Sequence, residues 1–161
     1  MKFTHLLLIF CLAVLQSVYS NAQSLQRELY YKVLASNDTV VINKQLNLLA
    51  KSPTLKAFEG ALLMKKSSFF KSPNQKLKCF KKGHKMLETE IQAHANNVEY
   101  RFLRFMIQEH APQLLNYNRN IQEDKKAILS NYKSLTAELK KAIEDYVRAS
   151  STHLTLNELV K

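Results

Sequence analysis

Apolar residues recur along most of this chain at three- and four-residue intervals, the period of an amphipathic α-helix. Residues 24–36 carry Leu25, Leu29, Tyr30, Val33 and Leu34 on one face, and Asn37-Asp38-Thr39 interrupts the pattern. Residues 40–51 open on Val40-Val41-Ile42, a β-branched trio compatible with a strand. The leucines at 46, 48 and 49 and the lack of a partner strand favour a helix instead. Lys51-Ser52-Pro53 and Lys71-Ser72-Pro73 then repeat one tripeptide, each pairing a Ser cap with Pro at the first helical position. Ser72 also has Gln75 three residues on, a capping-box spacing. These signals predict helices over 53–70 and 73–95. The first is apolar around most of its circumference (Leu55, Ala57, Phe58, Ala61, Leu62, Leu63, Met64), so it is expected at the centre of the fold.

Asn96-Asn97 opens a helix over 98–111 that buries Phe102, Leu103, Phe105, Met106 and Ile107 and leaves Arg101, Arg104 and Gln108 as its polar strip. Pro112 ends it, and 112–120 reads as a loop. Asn120 caps the next helix, with Glu123 and Asp124 in the first turn, where carboxylates suit the dipole, and with Ile121, Ile128, Leu129, Tyr132 and Leu135 as the buried stripe. Thr136 caps the last long helix, whose stripe is Leu139, Ala142, Ile143, Tyr146 and Val147. Residues 151–161 form a polar tail in which Thr155-Leu156-Asn157-Glu158 can nucleate one frayed turn. The expectation is an all-α fold: a compact array of six or seven helices in antiparallel hairpins, one domain over 23–150.

The N-terminal residues depart from this pattern. Lys2 precedes an uninterrupted apolar run from Leu6 to Leu15, and a polar stretch then ends in Ser20-Asn21-Ala22, with small residues where a signal peptidase reads them. Ten apolar residues are too few for a spanning helix, which needs about 20. Residues 1–22 are therefore expected to be a removed secretory signal, and the mature chain to be exported, periplasmic or extracellular, with no transmembrane span. Removal takes Cys11 with it, leaving Cys79 alone and no intramolecular disulfide. Cys79 is expected as a small residue at the edge of the core.

The chain has only two glycines, Gly60 and Gly83, in 161 residues. Folds built on glycine turns, such as dinucleotide-binding crossovers and multi-hairpin sandwiches, are not expected. Gly60-Ala61-Leu62-Leu63-Met64-Lys65-Lys66-Ser67 falls short of a phosphate-binding loop: Lys65 stands where a second Gly belongs, and the segment is a helix whose N–H groups are already bonded. Both glycines instead sit beside small or aromatic residues on the two helices of 53–95: Gly60-Ala61 on the first, Phe80-Lys81-Lys82-Gly83 on the second. With Asn96-Asn97-Val98-Glu99-Tyr100 leading into a following helix, this pair resembles a helix–turn–helix repeat of the tetratricopeptide kind. The resemblance implies close helix packing in the middle of the chain, with small residues letting the helices approach. The motif does not recur at the spacing of about 34 residues that the repeat requires, so hairpins rather than a solenoid are expected. The rest of the chain resembles short exported bacterial helical proteins, which implies no chemistry.

Candidate chemistry is sparse. His84/Glu88 and Glu90/His94 stand at i,i+4, but helical phase turns the two pairs about 120° apart, so they do not join in one site. Zinc needs three or four ligands, and neither HExxH nor CxxC occurs. His84 lies near the stripe of Leu77, Phe80, Leu87 and Ile91, where a half-buried structural histidine fits. A hydrolase built on His84, His94 and His110 is the alternative. The close carboxylate pairs, Glu88/Glu90, Glu123/Asp124 and Glu144/Asp145, diverge on their helices and read as solvated faces. No cofactor and no enzymatic role are expected.

Charge is the sharpest feature. The formal net charge is +11, and from Lys44 to Lys85 eleven lysines accompany a single acid, Glu59. The rest of the mature chain is balanced. Lys78, Lys81, Lys82 and Lys85 stand at i, i+3, i+4 and i+7, a ridge opposite the apolar stripe, and Lys65, Lys66 and Lys71 flank the turn before it. Sequence-specific nucleic-acid readers use arginine forks and polar or aromatic readers, and this cluster is purely lysine. Point charges of this kind suit an acidic protein, anionic lipid headgroups or an anionic polysaccharide. A third class, a scaffold that takes a partner helix in a groove, predicts an exposed apolar patch.

Overall fold

A computed structural model describes residues 26–112 and 115–160. The expected signal segment, 1–22, lies outside them. The described residues are all-α: α1 (26–35), α2 (Thr39–Leu49), α3 (Lys56–Ser67), α4 (Pro73–Ala93), α5 (Val98–His110), α6 (Ile121–Asn131), α7 (Ala137–Ala149) and the single turn α8 (Leu156–Leu159). Short 3-10 turns at Pro53–Leu55 and Tyr132–Ser134 lead into α3 and out of α6.

Local chemistry sets most boundaries. Asp38 caps α2, its Oδ1 accepting from the amides of Val40 (2.8 Å) and Val41 (3.4 Å). The β-branched trio is thereby the first helical turn: Ile42 is fully buried and Val40 and Val41 face outward. Asn97 caps α5 and Thr136 caps α7, each through its side chain. The serine–proline starts behave differently from expectation. Pro53 opens a 3-10 turn, with Ser52 Oγ paired to Thr54 Oγ1 at 3.1 Å, and α3 begins only at Lys56. Pro73 does open α4, but Ser72 makes no capping bond and no capping box forms with Gln75. Asn120 likewise caps nothing, its amide donating to Glu123 Oε2 at 3.2 Å instead. At the end of α3, Ser67 Oγ donates to the Met64 carbonyl (2.6 Å) and Ser68 Oγ to that of Lys65 (2.9 Å). Hydroxyls that claim carbonyls in this way compete with the helix ladder, and α3 stops short of Phe70.

The antiparallel pair α3–α4 is the most intimate contact in the molecule, and it is built at the two glycines. A Cβ on Gly60 would lie 2.7 Å from the Gly83 carbonyl oxygen and 2.8 Å from the Leu87 amide nitrogen. A Cβ on Gly83 would meet the Gly60 carbonyl and the Met64 backbone. The helices therefore cross backbone on backbone. α3 also packs on α2 and α5, and buries Ala57, Phe58, Ala61, Leu62 and Met64, as its wide apolar arc requires. α5 is the second central helix, with Phe102, Leu103 and Phe105 inaccessible to solvent. α1 joins this core through Tyr30, whose hydroxyl donates to the Phe58 carbonyl (3.0 Å), and through Arg27 and Tyr31, which both bond Glu99. Leu29 and Leu48, expected in buried stripes, are about half exposed.

The polar tail is tied down. Glu109, its side chain fully buried, accepts at Oε1 from the amides of Thr152 (2.8 Å) and His153 (2.7 Å) and from Ser151 Oγ (3.0 Å), and at Oε2 from Tyr146 Oη (2.6 Å). Leu154 and Leu159 are buried behind this anchor, and Thr155 and Glu158 form a capping box on α8. Burial works to raise the Glu109 carboxyl, but these donors overcome it and hold the group below its ordinary value of 4.5.

Two tests follow. Ala at Gly60 or Gly83 gains about 0.5–1 kcal/mol of helix propensity yet forces two backbones apart, and overpacking costs about 1–3 kcal/mol. Each variant is expected to be less stable in urea unfolding, and an unchanged midpoint refutes the crossing. Because the folded-state value of Glu109 is depressed, its contribution is intact above pH 4.5 and is lost as the pH falls below it. Protection of the Thr152 and His153 amides, measured against the intrinsic exchange rate at each pH, is thus expected to be high at neutral pH and lost in acid, and low at both in Glu109→Gln.

Candidate functional site

α4 carries the ridge. With its Gly83 face against α3, Lys78, Lys81, Lys82 and Lys85 project to solvent on the other side, and Lys71 and Lys76 are exposed before them. Among the described residues, none of these six has an ion-pair partner. The first turn of α4 contains no acid, so Lys76 and Lys78 stand near the positive end of the helix dipole. The i,i+4 pairs Lys78/Lys82 and Lys81/Lys85 add like-charge repulsion of about 0.2–0.5 kcal/mol each. This charge does not serve the helix that bears it.

Lys65 and Lys66 differ from the expectation that groups them with this face. Both are half-buried on α3. Lys66 Nζ lies 5.8 Å from the Phe70 ring centroid; Lys65 Nζ lies 5.8 Å from that of Phe69 and donates to Asn37 Oδ1 at 3.2 Å. Aromatic side chains four residues on draw these stems inward, and burial pushes the Lys65 ammonium down from its ordinary value.

Below the α3–α4 turn is an apolar cavity of about 600 Å³. Its walls include Leu34 of α1, Met64 of α3, Leu77 and Phe80 of α4, and Met106 and Ile107 of α5. Leu77, expected in the buried stripe of α4, is 40% exposed at this opening. This is an exposed apolar patch of the kind a binding surface requires.

The titratable clusters are structural. Arg104 bonds both oxygens of Asp124 at 2.7 Å and Glu88 Oε2 at 2.8 Å; Tyr117 Oη donates to Glu88 Oε1 at 2.8 Å; Arg101 reaches Glu123 at 2.5 Å and Asp124 at 3.3 Å. Arg104, Gln108 and Asp124 are buried, Asp124 completely. The polar strip of α5 and the acidic first turn of α6 therefore face each other, not solvent. Burial raises the Asp124 carboxyl against the pull of Arg104 and Arg101, and the flanking carboxylates keep Arg104 charged despite its own burial.

The histidines are not gathered. His84 lies 4.0 Å from Glu88 and edge-on to Tyr117, His94 lies 3.8 Å from Glu90, and His110 Nε2 lies 3.2 Å from Tyr146 Oη. Among the described residues, no three His, Cys, Asp or Glu side chains form a group suited to a metal ion. Cys79, half-buried on α4, donates its thiol to the Leu63 carbonyl (3.2 Å), and burial raises its pKa. A protonated, bonded thiol is a poor nucleophile. Comparison with protein-family models, curated proteins and solved structures finds no match to the chain.

Removing Arg104 leaves Asp124 buried with only the 3.3 Å contact to Arg101. Arg104→Met is expected to cost about 3–5 kcal/mol in urea unfolding, and the double variant Arg104→Met/Asp124→Leu to recover most of that loss. A double variant no more stable than the single one refutes the pairing as its cause.

Proposed function

We propose that this protein is an exported, non-enzymatic binding module whose lysine-rich hairpin contacts an acidic partner surface. One observation carries the reading: six exposed lysines on and before α4 without an ion-pair partner among the described residues, the first of them set against the helix dipole and the ridge lysines against one another. An anionic partner offsets that repulsion. Anionic lipid headgroups, an anionic polysaccharide or an acidic protein all supply the complementary charge, and lysine meets each as a point charge rather than through a rigid fork. Export rests on the signal-like pattern of residues 1–22. No described helix is long and apolar enough to cross a membrane.

The test is binding to phosphatidylglycerol vesicles and to polygalacturonate. Each lysine near an anionic membrane contributes about 1 kcal/mol, so association is expected at low salt and its loss as the Debye length falls to about 3 Å at 1 M. Lys78→Glu, Lys81→Glu, Lys82→Glu and Lys85→Glu combined are expected to abolish it. Association that survives this reversal, or that ignores salt, sinks the proposal.

A further inference from the structure

The lysine ridge leaves the apolar cavity unexplained. It lies on another face of α4, where Phe80 is buried and Leu77 stands at the opening. Its volume of about 600 Å³ is that of a small-molecule site, within the usual range of about 300–1,000 Å³. Two turns of a helix, 10–12 Å across with side chains, fill roughly 1,000 Å³. The space suits a single flexible chain better than a docked helix. Two of its walls are the methionines 64 and 106, unbranched side chains that adapt to an irregular occupant.

The polar groups at the cavity select the other end of that occupant. Lys65 and Lys76 reach it from α3 and α4, His110 from α5, and no carboxylate lines it among the described residues. Lys65 is half-buried, its ammonium held by a neutral amide oxygen and an aromatic ring at the edge of the cavity, with no carboxylate as an ion-pair partner among the described residues. A carboxylate at the cavity mouth would supply the ionic partner that Lys65 lacks. Leu77, 40% exposed at the opening, is the apolar surface that an acyl chain would cover.

We infer that this cavity binds a long-chain fatty acid, its acyl chain among Leu34, Met64, Leu77, Phe80, Met106 and Ile107 and its carboxylate between Lys65 and Lys76. The site shares Lys76 with the basic face but none of the four ridge lysines Lys78, Lys81, Lys82 and Lys85, so the two readings fail separately. Titration of the full chain with palmitate, below its aggregation threshold, is expected to saturate at one equivalent. Lys65→Gln with Lys76→Gln is expected to weaken palmitate at least about tenfold, as loss of charge-assisted bonds implies, while leaving 1-hexadecanol unchanged. Leu77→Asp is expected to weaken both. The fourfold Lys→Glu reversal of the ridge is expected to leave palmitate affinity within about twofold. Circular dichroism of each variant establishes that the helices persist. Four results overturn the inference: no saturable binding of palmitate; palmitate binding indifferent to the Lys65/Lys76 pair; a self-associated protein that Leu77→Asp dissociates, which assigns the cavity to a second copy; or an acidic amphipathic helix that binds where palmitate does not.

Discussion

Everything in this molecule is arranged around the crossing of α3 and α4 at Gly60 and Gly83. At ordinary interaxial distances of 8–10 Å, side chains interdigitate between helices. Here neither partner has a side chain at the contact, and a methyl on either would fall within 3 Å of the other's backbone. The chain spends both of its glycines on this point. That spending explains why a helix as long as α4, with repelling lysines along one face and no acid in its first turn, is held in register: its stability comes from tertiary packing rather than from its own charges.

The crossing also divides the hairpin. On its turn side, Met64 and Ser67 of α3 and Pro73 and Leu77 of α4 border the apolar cavity. On the far side, Glu88 faces α5 and joins Arg104, Asp124 and Tyr117. One end of the hairpin is thus open and apolar, and the other is closed by a polar network drawn from α4, α5, α6 and the loop before α6. A satisfied network of this sort fixes which helices meet and at what register, so the open end can lack such bonds without leaving α4 free to shift.

How much of this was legible in the sequence depended on whether a feature was local. Apolar stripes at helical period identified α1 to α7, because each stripe lies within one helix. The ridge of Lys78, Lys81, Lys82 and Lys85 was legible for the same reason. The pairing of Arg104 with Asp124, twenty residues apart, was not: a polar strip on one helix looks the same whether it faces water or a complementary strip on another. One signal was available. Phe102, Leu103, Phe105, Met106 and Ile107 already take most of the circumference of α5, which leaves little of that helix for solvent. Glu109 escaped similarly, since its partners are backbone amides of a tail that reads as polar. The cavity needs the convergence of several helices, and no single stripe records it.

The division between cation types sharpens the account of charge. The buried carboxylates Glu99 and Asp124 are met by Arg27 and Arg104, whose planar guanidinium groups bond two oxygens at once and tolerate burial. The cations on the exposed face of α4 are lysines alone. Because acids and arginines neutralise one another inside, the formal charge of +11 understates how unevenly positive the outside is. A partner approaching α4 would meet exposed ammonium groups that impose no geometry of their own. Selectivity at that face would come only from the density and sign of a partner's charge, whereas a ligand of the cavity would also be discriminated by shape. The two surfaces of one helix therefore offer different chemistry, and the glycine crossing that orients the helix is what keeps them apart.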